Sequence, residues 1–590
     1  MSLETKENFL GYFSFYNLNS NLEEVKEYVL KYKNFSFDFE TAGFNDLSPI
    51  TISFTIKSDD DKYYGFVVDL RELENFDILF EIFNISNLVI CHNLYFDLLV
   101  LKQIGYDIYN LRYKTYDTML AIYVSNTESK KGLKNYIEDS ISYEESFNLE
   151  NFDLQKFKIY NLQDSFYTFK LYESTFPTLK RKNNILAFYL EIQSAFISIY
   201  MTDYGVYVDK EELEVIMNEY KKEIENKEKL LKEIAKSKYN FDLDLNSRIS
   251  ITDFFKNYIL IDIEDDEDLK TPKGDVSVSI TAISSIDLDD EIKKKFVENY
   301  IEYKEIRKIY ETYNTDSLLK NSYLSRVKPN IRSSGTKTAR MIITNPPLQT
   351  IPSNDVGKRI RSVFKSRDEN KFLVIDLSQL ELRLLVHYLN KNELKDKYNS
   401  GEDLHDQTSK LLGVDRKHAK IINFMIVYGG GAKSVAKKLG ITEELAKEYI
   451  DKFSSKLLGY SELKSFITDF VINNGYIRLP LNYYRCLEGD DYTKIRVGFN
   501  SLIQMTASIF MKMGMYLIFE TFFEKSGLCL QVHDELIFEN NNDILERVYR
   551  FLKIIYENMF IYKTDEYLLG QDLKFKIEGK IGNNWLDCKN

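Results

Sequence analysis

Carboxylates that close apolar runs are the residues of this sequence best placed to do chemistry. Asp376 ends Lys371-Phe-Leu-Val-Ile-Asp376, and Asp534 ends Leu528-Cys-Leu-Gln-Val-His-Asp534. A carboxylate beside a buried β-run is costly unless a cation or hydrogen-bond donors compensate it. Two such groups brought together could hold a pair of Mg²⁺ ions ~3.5–4 Å apart for in-line phosphoryl displacement. A second acidic set lies early in the chain. Asp38 and Glu40, two apart in a strand-like run, point to one face, a spacing that suits a shared metal ion. Asp97 follows the apolar run ending at Cys91, in His92-Asn-Leu-Tyr-Phe-Asp97, and falls at the start of a helix; Tyr160 and Asp164, four apart, share one face of a later helix. Hard oxygen ligands in a His/Cys-poor set suit Mg²⁺ better than zinc.

A different pattern marks the segment from Arg416 to Gly429. Arg416, Lys420, Phe424 and Tyr428 recur every fourth residue and form one stripe of two cations and two aromatics on a helix. Like charges so spaced repel by a few tenths of a kcal/mol, so the stripe makes sense if an anion such as a triphosphate lies across it with its base stacked; a solvated basic face merging into core aromatics is the alternative. Arg496, Asn500 and Gln504 repeat the spacing inside an apolar helix read over 495–519, where a polar line needs partners.

Positioning these groups takes several lobes. At 590 residues the chain exceeds a single core, and three or four are expected. From about residue 33 to 175, strand-like runs (35–39, 50–56, 63–68, 88–91) alternate with helical stretches, which predicts one α/β domain. From 185 to 320 the pattern is helical and charged, with long helices predicted over 211–238 and 289–313. The net charge of −13 argues superficially against a nucleic-acid partner, but local stripes such as Lys304, Arg307 and Lys308 matter more than the sum. The four cysteines have no spacing that suits zinc or a disulfide framework, no apolar run approaches the ~20 residues of a membrane span, and residues 1–10 are polar and acidic. A soluble, cytoplasmic protein with no membrane partner is expected, in the host cell's cytoplasm if the chain is viral.

Three longer segments carry a family resemblance. Asp376-Leu-Ser-Gln-Leu-Glu-Leu-Arg383 and Gln531-Val-His-Asp-Glu535 resemble motifs A and C of the family A DNA polymerases, and residues 416–429 resemble motif B, the O helix of the fingers. The order Asp-x-Glu, His-Asn-x-x-Phe-Asp, Tyr-x-x-x-Asp resembles the Exo motifs of proofreading 3′–5′ exonucleases, with 116–120 at a further similar segment. The resemblance implies a multidomain α/β and α+β fold: an RNase H-like exonuclease domain over 1–180, then a right-hand polymerase with mainly thumb helices at 181–328, palm at 329–394 and 486–590, and fingers at 395–485.

By the same resemblance Asp38, Glu40, Asp97 and Asp164 hold two divalent ions while Tyr160 orients the attacking water. Asp376 and Asp534 hold two Mg²⁺ ions, Glu535 supports them, and Lys420 acts as general acid. Arg416 and Lys420 bind the triphosphate, Phe424 packs on the sugar, Tyr428 stacks at the templating position, and Glu381 is a gate against ribonucleotides; Gln379 and His405 join this nucleotide-binding set. Arg340, Gln349, Arg496, Asn500, Gln504 and His533 fall on DNA-contacting positions. Met425, where the family usually has glycine, and Pro347 and Thr350, in place of asparagines, depart from the pattern.

The implied activity is template-directed DNA synthesis with proofreading, in replication and from a bacteriophage, by a chain with no room at its N-terminus for a 5′-nuclease domain. The implied partners are primer-template DNA and deoxynucleoside triphosphates, with a monomeric chain and a processivity factor or replisome proteins that the sequence does not identify. A repair or gap-filling polymerase, a DNA-binding scaffold and a dedicated exonuclease are the alternatives.

Overall fold

Alternation builds the first sheet. In the strand Asn34–Gly43, Phe35, Phe37 and Phe39 point to one side and Ser36, Asp38 and Glu40 to the other. The phenylalanines are buried, with Phe35 and Phe37 packed edge-on against Phe83. The polar side receives a helix instead. The computed structural model describes residues 9–589 except 44–45, 137–152, 261–269, 272–274, 285, 287, 289, 321, 403, 428–429 and 559–572. Its first domain is a six-stranded sheet of β1 (Phe13–Asn17), β2 (Asn34–Gly43), β3 (Asp46–Lys57), β4 (Tyr63–Asp69), β5 (Leu88–Cys91) and β6 (Thr115–Asp117), in the order β1-β4-β3-β2-β5-β6. β2 pairs antiparallel with β3 and parallel with β5.

The helix Leu154–Lys182 crosses the polar side of β2 and β3. It starts at Asp153, whose side chain accepts from the Lys156 N–H, and ends at Asn183 in the left-handed region. Small hydroxyl residues let it lie close: Ser36 donates to the Ser165 carbonyl at 2.6 Å and Ser53 to the Asn161 carbonyl at 2.7 Å. That contact carries Tyr160 and Asp164 to the face holding Asp38 and Glu40.

The second sheet is antiparallel: β7 (Lys371–Leu377), β8 (Leu528–Val532), β9 (Glu535–Asn540) and β10 (Ile577–Gly582), in the order β8-β9-β7-β10. Long helices Lys210–Tyr239 and Glu291–Tyr313 pack against each other, close to the spans read from the sequence. Behind the sheet run the helices Ile185–Tyr204 and Asp491–Phe522. Contrary to the sequence reading, stretches at Ile185–Tyr204 and Asp491–Ser526 are long and apolar enough to cross a membrane, but 78% of each qualifying window is buried inside the protein, so they are core helices. They are pinned by Lys512, whose ammonium donates to Glu191 Oε1 at 2.6 Å with both side chains fully enclosed.

Candidate active sites

In the first domain Asp38, Glu40 and Asp164 each offer a ligand atom, all within 4.8 Å of one another. Asp97, on the helix Leu94–Gln103, stands next to this group rather than inside it: it is 2% exposed, the charge of Asp38 raises it, its own charge raises Glu40, and its Oδ1 has no hydrogen-bond partner among the described residues. Burial first, and the neighbouring carboxylates second, hold Asp38, Glu40 and Asp97 above the ordinary carboxylate range, Glu40 at about 8, and burial raises Asp164 to about 6 against the opposing Lys134 and Tyr160. Such a cluster fits a divalent cation, the group that would relieve its repulsion. Tyr160 hydrogen-bonds to Asp164, and burial followed by the adjacent acids raises its phenol.

Other residues complete this site without having been evident in the sequence. Asn161 donates to Asp38 Oδ2 at 2.9 Å, and Lys134 places its ammonium 4.5 Å from the Tyr160 ring centre, where its charge opposes the upward shifts of Asp38, Glu40 and Asp164. The short run Lys130-Lys-Gly-Leu-Lys134 was the only signal for Lys134. Asp117, in the further similar segment, is structural: its carboxylate accepts from the N–H groups of Asn93, Leu94, Met119 and Leu120. His92 is held at both ring nitrogens, by Thr118 and by the Lys131 carbonyl, and burial lowers it to about 4.

In the second domain Asp376 lies one residue before the end of β7, with a carboxylate on either side. It registers with Glu535 on β9 and with Glu578 on β10, and the Leu377 N–H donates to the Asp534 carbonyl at 3.2 Å. Like charges opposed across strands destabilise a sheet, which argues for a cation here as well. Burial, then Asp534, Glu535 and Glu578, push Asp376 up to about 7, while Lys589 opposes them. Lys589 pairs with Glu535, whose Oε2 is buried with no hydrogen-bond partner among the described residues. One expectation changes here. β8 stops at Val532, so Asp534 does not close the strand but lies in a two-residue turn made possible by His533 in the left-handed region (φ 58°).

A cavity of about 500 Å³ opens beside Asp534, lined by Arg340, Gln349, Gln379, Glu381, Phe424 and His533 among others. Motifs A, B and C and the 336–349 segment therefore meet at one place. Glu381 accepts from Arg340 Nη2 at 2.7 Å. Gln349 is engaged within the protein, accepting from the Ile343 N–H and donating to the Gln531 carbonyl. The helix Arg416–Val427 presents Lys420 to solvent and half-buries Phe424, whose ring lies 5.9 Å from that of buried His405. Arg416 pairs with Asp406 across 3.0 Å instead of depending on an anion, and Tyr428 lies outside the described residues. Arg496, Asn500 and Gln504 run from exposed to half-buried along Asp491–Phe522 and do not line the cavity; Asn500 Oδ1 is buried with no partner among the described residues.

Comparison with known proteins matches residues 210–587 to the family model described as DNA polymerase family A and residues 15–174 to the one described as 3′–5′ exonuclease. DNA polymerase I of Borreliella burgdorferi is 30% identical over 609 residues, spanning 96% of this chain and 63% of that protein. DNA polymerase I of Helicobacter pylori (strain 26695) is 28% identical over 461 residues, spanning 74% of this chain and 50% of its own length. The chain thus spans less than two thirds of these curated relatives. Among solved structures, the POL domain of Pol1 from M. smegmatis, in complex with DNA primer-template and dNTP, superimposes with a TM-score of 0.79 at 19% identity, covering 97% of this chain and 100% of that one, a likeness of fold.

Proposed function

The chain belongs to DNA polymerase family A, and from that premise we propose that it extends a primer 3′ end with deoxynucleotides copied from a template and trims that end with a separate 3′–5′ exonuclease. The observation that carries the reading is the pair of carboxylate clusters, one per domain: Asp38, Glu40 and Asp164 within 4.8 Å of one another, and Asp376 flanked by Glu535 and Glu578 and pushed up to about 7 by burial and the acids around it. Mg²⁺ is the ion we assign to both, two at Asp376 and Asp534 and two at Asp38, Glu40, Asp97 and Asp164. Bound there, it would activate the primer hydroxyl or a water and neutralise charge on the phosphate.

The side chains supply the rest. Lys420, exposed on its helix, is suited to hold the triphosphate and to donate a proton toward the departing pyrophosphate, with Arg416 beside it. Phe424 offers its half-buried ring to the sugar. Glu381, fixed by Arg340, occupies the cavity wall where a ribose 2′-hydroxyl would come. Arg340, Gln349, His533, Arg496, Asn500 and Gln504 form the primer-template surface; polar atoms buried without partners among the described residues, such as Asn500 Oδ1, suit contacts completed by DNA. In the other site Tyr160, tied to Asp164, orients the attacking water, and Asn161 fixes Asp38. We assign the enzyme to replication in the cytoplasm, acting as a monomer, with processivity on a long primed circle separating this from gap filling. Primer extension with Mg²⁺ tests the whole reading: full-length product is expected with all four deoxynucleotides and shortening of the primer without them, and no extension of any primed template would falsify it.

A further inference from the structure

Lys131 touches the surroundings of both sites. Its main-chain carbonyl accepts from His92 Nε2 at 2.8 Å, beside the helix that carries Asp97. Its ammonium crosses to the other domain, where it donates to the Ser334 carbonyl, and sits 4.2 Å from the ring centre of Tyr123. Tyr123, fully buried, donates its hydroxyl to the Thr336 carbonyl at 2.8 Å. The next carbonyl back, that of Ser333, is taken by Lys512 at 2.9 Å. Three main-chain acceptors in the four residues 333–336 are thus fixed from outside, two of them by side chains of the exonuclease domain.

What these residues hold leads into the polymerase cavity. The Thr336 hydroxyl accepts from the Arg340 N–H at 2.9 Å and donates to the Arg340 carbonyl at 3.1 Å, closing a turn in which Ala339 has φ 57°. Arg340 then reaches Glu381. Between Lys131 and the candidate ribose gate there is a continuous run of hydrogen bonds and two residues of turn. A main-chain turn with a strained residue keeps one geometry only if its neighbours over-determine it, and a side chain that aims a gate must itself be locked by its supports.

We propose that Lys131 and Tyr123 are positioning residues for nucleotide selection: the exonuclease domain sets the Arg340–Glu381 pair that discriminates the sugar of the incoming nucleotide. The inference rests on the polymerase reading above and adds to it a role for the exonuclease domain in synthesis that is independent of trimming. Neither residue touches the nucleotide. Removing either support leaves the turn 333–340 free to shift, so Glu381 samples positions that admit a 2′-hydroxyl, while deoxynucleotide addition continues.

The test uses the full chain with Lys131→Met, which keeps the stem and removes the ammonium, and Tyr123→Phe, which removes one hydroxyl. Ribonucleotide incorporation relative to deoxynucleotide is expected to rise about fivefold or more in each, the scale of one lost hydrogen bond, with Lys131→Arg close to the parent. Single-strand trimming stays within about twofold, because the carbonyl that holds His92 belongs to the main chain. Amide exchange across 334–340 accelerates in the same two variants, a readout that needs no catalysis. A parent-like sugar preference in both variants, or parent-like exchange in both, overturns the proposal. Failure of the polymerase reading looks different: the parent itself then extends no primer, and the exchange measurement still decides whether the turn is held from the exonuclease domain.

Discussion

Glu40→Gln is expected to destroy the nuclease and stabilise the protein that lacks it. Glu40 is half-buried beside Asp38, Asp97 and Asp164, and its carboxyl is held at about 8 against an ordinary 4.5, by desolvation first and by Asp164 next. For an acid whose folded value is raised, the folded state binds more protons than the unfolded one between the two values. The penalty on folding is therefore absent below pH 4.5, grows through the window, and is complete above about pH 8. At ~1.4 kcal/mol per pH unit the full effect is of the order of 4–5 kcal/mol, and the carboxyl's partial exposure leaves about 2 kcal/mol of it. Glutamine keeps the shape and cannot ionise. In chelator at pH 8 the melting transition of the exonuclease domain should rise by about 4–8 °C, and at pH 4.5 by almost nothing. With excess Mg²⁺ the order should narrow or reverse, since the parent gains a ligand the variant lacks. Calorimetry at both pH values, with and without the ion, checks this. A variant no more stable than the parent at pH 8 in chelator, or equally stabilised at pH 4.5, would refute the claim that the cluster is a strained, metal-seeking site.

Further expectations follow from single contacts. Lys134→Ala should lower exonuclease kcat/KM by about tenfold, the scale of one charge-assisted contact to phosphate, and leave deoxynucleotide addition unchanged; equal trimming by both proteins would remove Lys134 from the site. Glu381→Ala should raise ribonucleotide incorporation relative to deoxynucleotide by about tenfold or more, and an unchanged ratio in single-nucleotide kinetics would dismiss the gate. Lys512→Met leaves the Glu191 carboxylate enclosed without its cation and should cost about 3–5 kcal/mol, most of it regained in the double variant with Glu191→Gln; denaturant unfolding that finds the single change neutral would contradict the buried pair.

Much of the scaffold is legible because its periods are strong. The Phe35/Phe37/Phe39 alternation fixes which face of β2 carries Asp38 and Glu40, and the helix through Tyr160 and Asp164 follows from a four-residue spacing. Turns and distant partners are less legible. Strand alternation over 528–534 cannot show that His533 adopts the left-handed region and turns the chain before Asp534. The stripe Arg416 and Lys420 calls for an anion when read alone, yet Asp406, ten residues earlier, already answers Arg416. Glu578, opposite Asp376, belongs to no motif and is found only through the register of β10. Lys512 and Glu191 are 321 residues apart, and each reads as a misplaced charge in an apolar helix until the two helices meet.

The central claim is that two separate acidic pockets perform opposite reactions on one primer end. The most direct measurement follows a single labelled primer with a mismatched 3′ terminus, in Mg²⁺, through the parent, the Asp376→Asn/Asp534→Asn variant and the Asp38→Asn/Glu40→Gln variant. The parent should trim and then extend, the first variant should only trim, and the second should extend matched primers while leaving the mismatch in place. Extension that survives loss of Asp376 and Asp534, or trimming that survives loss of Asp38 and Glu40, would contradict the account.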